Sequence, residues 1–365
     1  MYVVIFCSLI ALILTFLESQ GTLKNGMKWG FVIVTILGMI HYNYGNDYMS
    51  YLNVYKQVTQ YGFDLKGILN GDYYREPGWA LLCWFFKPIG GFFMMVATLN
   101  LIQNIIIYDF IKSYVLRSWW PIAVFIYLFS TSLYLMSFSM MRQEFALIVF
   151  LGMWRFIEKR KFLIPLIVFW LLSFIHSSAI ILLPFAFWGF LPIKNGKLIG
   201  TIYTLLLLIF WFSQNILNDI FSYALTLDEG FSEYADTYGT SKTGINLGIG
   251  FTINMIPFIL SILLLINKNN EYSAPQKLLV ALGIITYIVA PFGLIIPTVG
   301  RLGMYFSVYK IGSIPLIYSN IKNPVIKYLL LGICLFMIFY DYLIFFKNPT
   351  WVDHFTEFHT IFSQI

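Results

Sequence analysis

The chain has 365 residues, of which 59% are hydrophobic, 19% aromatic and only 11% charged, with a net charge of +6 and a mean hydropathy of +0.77. A soluble domain carries about 25% charged residues, so too few ionic groups exist to cover a water-facing surface of this size. These figures exclude a cytosolic enzyme, a secreted disulfide scaffold and a disordered chain, and point to a polytopic membrane protein. The basic residues fall singly or in short clusters between apolar runs, which is a topology signal and not a nucleic-acid patch.

In chain order, the apolar runs predict spans at about 2–17, 29–44, 89–111, 119–138, 144–157, 162–175, 178–190, 198–214, 251–267, 278–298, 303–318 and 328–346. The expected fold is all-α, with about 11–13 transmembrane helices, some of them short or re-entrant. The first run lacks a basic leader and a small-residue cleavage site, so a retained helix is expected. The segment 78–86 is apolar, short and tryptophan-bearing, and is read as a helix lying at the membrane interface. Cys7, Cys83 and Cys334 stand apart in apolar stretches with no metal or disulfide spacing.

Alternating the spans with the N-terminus outside places fourteen Lys and Arg against four acids on the inner face, and eight against twelve on the outer. This asymmetry sets the orientation. Two long extramembrane loops, about 45–88 and 215–250, then face outward, and the chain reads as a single membrane domain over 1–365.

The chemistry-bearing residues collect at the outer span ends. GNDYMSYLNVY supplies Asp47, Tyr48, Tyr51 and Tyr55; if helical, Asp47, Tyr51 and Tyr55 share one face. Rings beside a carboxylate suit a sugar, although interfacial tyrosine anchors have the same pattern. YYREPGW adds Arg75 and Glu76 ahead of a turn-fixing proline. SMMRQEFALIVF places Arg142, Gln143 and Glu144 before a span of only ~21 Å at 1.5 Å per residue, which sets Arg142 in a recess where a charge needs a partner. FIHSSAI puts His176 at the apex of a second short hairpin, with arms of ~20 Å. GRLGMYF carries Arg301 with Tyr305 one turn on. A histidine or carboxylate can take a proton from a sugar hydroxyl, and arginines can hold a departing pyrophosphate. His354, Glu357 and His359 have poor zinc spacing, so no metal and no cofactor are expected.

The ordered set GNDYMSYLNVY, YREPGW, MRQEFAL, FIHSSAI and GRLGMYF resembles the EpsG family of exopolysaccharide-biosynthesis membrane proteins, a branch of the Wzy-type polysaccharide polymerases. The resemblance spans most of the chain, except that 215–250 matches nothing in the pattern. It implies a multi-pass protein of the bacterial inner membrane that polymerises repeat units on the periplasmic or outer side. The glycan would pass from undecaprenyl pyrophosphate to the non-reducing end of a lipid-linked repeat. Partners would be undecaprenyl-pyrophosphate-linked oligosaccharides, membrane lipid, a chain-length regulator and a flippase, with no nucleic acid. Carried residue by residue, the resemblance assigns Arg142 and Arg301, then Arg75, to pyrophosphate. His176 becomes the first choice as general base, with Asp47 or Glu76 second. Tyr48, Tyr51, Gln143 and Tyr305 shape the sugar site. A polysaccharide O-acyltransferase and a lipid-linked oligosaccharide flippase are the alternative classes.

Overall fold

A computed structural model describes residues 1–60, 62–193, 196–212, 253–267, 272–289 and 297–364; the loop 215–250 lies outside them. The architecture is all-α, as the hydropathy pattern predicts. Among the described residues three helices are long and apolar enough to cross a membrane, Tyr2–Ser19, Gly91–Tyr114 and Pro324–Phe345, beside several shorter apolar ones. Two compact units emerge, one of residues 1–190 with 338–365, the other of 191–337.

The first unit opens with a hairpin of α1 (Tyr2–Ser19) and α2 (Gly26–Ile40). The buried stripe of α1 is Val4, Ser8, Ala11 and Thr15, whereas Phe6, Leu9, Ile13 and Phe16 are exposed. Small and polar groups inward with bulky apolar groups outward is the packing that lipid, not water, selects. Close approach depends on Gly30, where a Cβ would lie 2.8 Å from the Ala11 carbonyl oxygen. The Glu18 carboxylate accepts the Met27 N–H at 2.7 Å and so caps the start of α2.

After α2 the chain enters β1 (His41–Tyr42), which pairs antiparallel with β2 (His359–Thr360) in the register His41 to Thr360. Then come α3 (Tyr48–Thr59), α4 (Leu65–Asn70) and α5 (Pro77–Phe86). The last covers the apolar segment 78–86 as a helix. The 24-residue α6 (Gly91–Tyr114) follows.

The run 119–138, expected as one span, is broken. Helix α7 (Trp120–Phe129) stops at Ser130, whose backbone turns extended while its N–H still bonds to the Ile126 carbonyl. A 3-10 turn, Tyr134–Phe138, then packs inward, and the Tyr134 hydroxyl donates to the Val34 carbonyl at 2.7 Å. Helices α8 (Met141–Gly152), α9 (Trp154–Ile157) and α10 (Leu163–Ile175) come next. The second arm of the hairpin, Ser177–Phe190, is a 3-10 helix with Pro184 inside. At about 2.0 Å rise per residue its reach is nearer 28 Å than the ~20 Å expected of an α-helix.

The two ends of this unit differ in chemistry. At one, Arg117 donates to the Glu18 carbonyl, Tyr114 to Glu158 at 2.9 Å, and Arg160 to the Gly189 carbonyl at 3.1 Å. At the other, the Met1 ammonium donates to the Thr356 carbonyl at 2.6 Å, and the Gly45 N–H to that of His354 at 3.0 Å.

The second unit contains α11 (Gly196–Phe212), α12 (Ile256–Ile266), α13 (Ala274–Val289), α14 (Pro297–Ser307), α15 (Lys310–Ser319) and the start of α16 (Pro324–Phe345). The Tyr203 hydroxyl donates to the Ala281 carbonyl at 2.8 Å, joining α11 to α13. The expected span 303–318 divides at Val308-Tyr309, where N–H groups bond three residues back, as Tyr309 does to Phe306. Lys310 Nζ stands 4.9 Å from the centroid of the Tyr287 ring. The short α17 (Pro349–Phe355) belongs to the first unit and leads into β2.

Candidate active site

Pro77 fixes the start of α5, which leaves Glu76 at the N-cap in an extended conformation, its carbonyl accepting from the Trp79 and Ala80 N–H groups. The Glu76 side chain does not cap the helix. It turns instead toward the start of α8 and the end of α10, where it is buried. There it forms an ion pair with Arg142, accepts the Ser177 N–H at 2.7 Å, and lies 3.4 Å from His176 Nδ1. The approach of α5 to α10 depends on Gly78, where a Cβ would lie 2.8 Å from the Phe174 carbonyl group. His176 occupies the C-cap of α10 in an extended conformation, and its backbone N–H bonds to the Leu172 carbonyl.

Arg142, in the first turn of α8, is walled by aromatic rings. Its guanidinium carbon is 5.2 Å from the Tyr51 ring centroid, 5.3 Å from Tyr74 and 5.9 Å from Trp79. The Tyr51 and Tyr74 hydroxyls also interact electrostatically with the guanidinium. Burial pushes the Tyr51 phenol above its ordinary range, with the Arg142 charge pulling the other way. Arg142 Nε and Trp79 Nε1 are buried without a hydrogen-bond partner among the described residues. Two buried donors beside a cation are unfilled capacity for an anion or a hydroxyl.

Glu76, Arg142 and His176 therefore come together from three elements far apart in sequence. The other predicted residues are placed differently. Asp47 is exposed at the N-cap of α3, and the buried face of that helix carries Tyr48, Tyr51 and Leu52 in place of the expected Asp47–Tyr51–Tyr55 line. Tyr48 is fully buried among the rings of His41, Tyr42 and Phe92. Arg75 is exposed and Gln143 is buried on α8. Arg301 is half-buried and Tyr305 fully buried on α14, in the second unit. Sequence reasoning missed Tyr74 and Trp79, although both flank Arg75-Glu76 in YYREPGW, an aromatic density that was the available signal. Among the described residues no group of three His, Cys, Asp or Glu side chains could hold a metal.

A sequence profile of the EpsG family matches residues 28–356. The chain belongs to the EpsG family. No curated protein and no solved structure matches it. The matched span includes every residue of the Glu76–Arg142–His176 cluster, and membership in the EpsG family makes the chain a membrane protein of polysaccharide biosynthesis.

Proposed function

We propose that this EpsG-family protein is a polysaccharide polymerase, a glycosyltransferase that moves a glycan from undecaprenyl pyrophosphate to the non-reducing end of a lipid-linked repeat. The reaction takes place on the extracytoplasmic side of the bacterial inner membrane, as the inner-face excess of Lys and Arg implies. The observation that carries the reading is the position of Glu76 between His176 and Arg142. In this scheme the carboxylate 3.4 Å from Nδ1 closes to a hydrogen bond when substrate binds, which favours the imidazole tautomer whose Nε2 accepts a proton. The acceptor hydroxyl gives its proton to Nε2 as its oxygen bonds to the anomeric carbon, and the bond from that carbon to the pyrophosphate oxygen breaks. Glu76 is in this scheme a positioning residue, and His176 the base.

Arg142 supplies positive charge and an unfilled N–H to the leaving pyrophosphate. Tyr51 and Tyr74 hold the guanidinium in place and offer ring faces for sugar. Arg301 is assigned to pyrophosphate on its sequence motif.

The test is complementation of a strain lacking the chromosomal copy by His176→Gln, Arg142→Lys and Arg301→Ala, with immunoblots for membrane abundance. Loss of long polymer with single lipid-linked repeats accumulating outside the membrane is the expected result. Full-length polymer from all three variants at normal abundance would overturn the assignment. Repeats accumulating inside would indicate a flippase instead.

A further inference from the structure

The densest run of positive charge in the chain lies at the opposite end of α10 from His176. Four of the 23 lysines and arginines, Arg155, Lys159, Arg160 and Lys161, fall within seven positions, and all four are exposed. Two backbone bonds close the turn that carries them, from the Arg160 N–H to the Ile157 carbonyl and from the Lys161 N–H to the Phe156 carbonyl, each 2.9 Å. This is a Schellman ending for α9, and it gathers the four residues into one tight corner. Two acids stand near them. The Glu158 carboxylate accepts the Tyr114 hydroxyl at 2.9 Å, and Asp109 and Arg155 both lie within electrostatic reach of that tyrosine. None of the ion pairs among the described residues includes any of the four cations.

Arg160 occupies the position after the helix end where the backbone becomes left-handed, with a φ of +58°. Glycine takes that conformation freely, whereas a side chain there carries a steric cost. The arginine is also held in place. Its Nε donates to the Gly189 carbonyl at 3.1 Å, and its guanidinium carbon stands 5.7 Å from the Phe190 ring centroid. Gly189 packs so closely on the Ile157 carbonyl that a Cβ would collide with it. Topology asks only that cations be present on the inner side. It does not require one to be fixed in a left-handed backbone over an aromatic ring.

An apolar floor continues directly from that ring. Phe190 meets Phe162 edge to face at 6.1 Å, and Phe162 stacks on Phe187 at 5.0 Å. Phe187 and Phe190 are exposed, and so is Leu163 at the start of α10. A cationic rim over exposed rings matches the two parts of a lipid, a charged headgroup joined to apolar chains. An acidic protein would answer the rim alone.

We propose that this corner binds an anionic glycerophospholipid, with its phosphate on Arg160 and the flanking lysines and an acyl chain along Phe187, Phe190 and Leu163. On the orientation that the charge asymmetry sets, the corner meets the anionic inner leaflet, where each lysine or arginine adds to the attraction. Arg160 has guanidinium N–H groups beyond Nε to offer the phosphate. The site lies about 20 Å along α10 from His176, at 1.5 Å per residue, and does not rest on the glycan-transfer reading.

The experiment uses the full chain in mixed micelles. Phosphatidylglycerol and phosphatidylcholine of matched chains are titrated in, and retained lipid is counted by native mass spectrometry. Phosphatidylglycerol is expected to be retained preferentially and to raise the thermal midpoint saturably. Lys159→Gln combined with Lys161→Gln, both exposed positions, should weaken its retention by roughly 30-fold, or about five-fold for each lysine. Arg160→Gly, which relieves the left-handed backbone, should keep the fold and weaken the preference. Equal retention of the two lipids by the wild-type protein, or unchanged retention in the double variant, overturns the proposal. So does glycerol phosphate binding as tightly as phosphatidylglycerol, since the headgroup alone would then suffice. A polyglutamate peptide that binds where phosphatidylglycerol does not would also overturn it and assign the corner to an acidic protein.

Discussion

Removing Glu76 should disturb this protein more than removing any exposed acid, and the order of its substitutions tests why. The carboxylate side chain is 8% exposed and that of Arg142 17%, so neither charge is well solvated. In Glu76→Ala the guanidinium loses its counterion, the Ser177 N–H loses its acceptor, and His176 loses the group facing Nδ1. Breaking a buried pair from one side costs about 3–5 kcal/mol. In Glu76→Gln the carbonyl oxygen still accepts from Ser177 and only the charge is lost, which costs about 1–3 kcal/mol. In the double variant Glu76→Leu, Arg142→Met no orphaned charge remains, so the loss should fall below that of Glu76→Ala alone. The assay is reversible unfolding in mixed micelles, read as a double-mutant cycle. Additive single-variant losses, or equal losses for Ala and Gln, would refute the claim that Glu76 acts as the buried counterion.

Two further predictions separate packing from chemistry. Gly78→Ala drives a Cβ to 2.8 Å from the Phe174 carbonyl group, so it should cost about 1–3 kcal/mol and lower polymer output by shifting Glu76 from His176. Gly332→Ala, in α16 with nothing within 4 Å of the added carbon, should be neutral or stabilise by about 0.4–1 kcal/mol in the same thermal assay. Tyr51 bears on pH: its phenol is raised by burial, so its stabilising contribution is complete below the unfolded value of about 10 and is lost as pH climbs through the higher folded value. Tyr51→Phe should therefore flatten the alkaline loss of stability, and an unchanged alkaline slope would contradict it.

Much of the fold was legible because lipid imposes length and composition on a helix. Helices α1, α6 and α16 fall where the apolar runs predict them, within a few residues. The breaks after Phe129 and at Val308-Tyr309 were not legible, since the apolar character continues across both and what ends the helices is local backbone bonding. The 3-10 course of Ser177–Phe190 left no mark in the hydropathy either. Of the site, the recess around Arg142 and the placement of His176 at a hairpin apex could be read from span lengths. Which acid answers Arg142 could not. Asp47, Glu76 and Glu144 have equal claims in sequence, and only the turn before Pro77, the N-cap position of Asp47 and the helical offset of Glu144 divide them.

That division gives the cluster a property that charge balance alone does not explain. If Arg142 only needed a counterion, exchanging the two residues would serve as well. In Glu76→Arg combined with Arg142→Glu the opposite charges still meet, so the double variant should fold better than Glu76→Arg alone, which places two cations together. Yet the exchange puts a guanidinium against the Ser177 N–H and against His176 Nδ1, where the native protein has an acceptor. The backbone donor is left unsatisfied and the imidazole loses the carboxylate 3.4 Å from its Nδ1. Membrane abundance should recover while polymerisation should not. Recovery of both would reduce Glu76 to a counterion and move the orientation of the base elsewhere. Recovery of abundance alone would separate two proposed duties of one carboxylate, balancing the Arg142 charge and orienting His176.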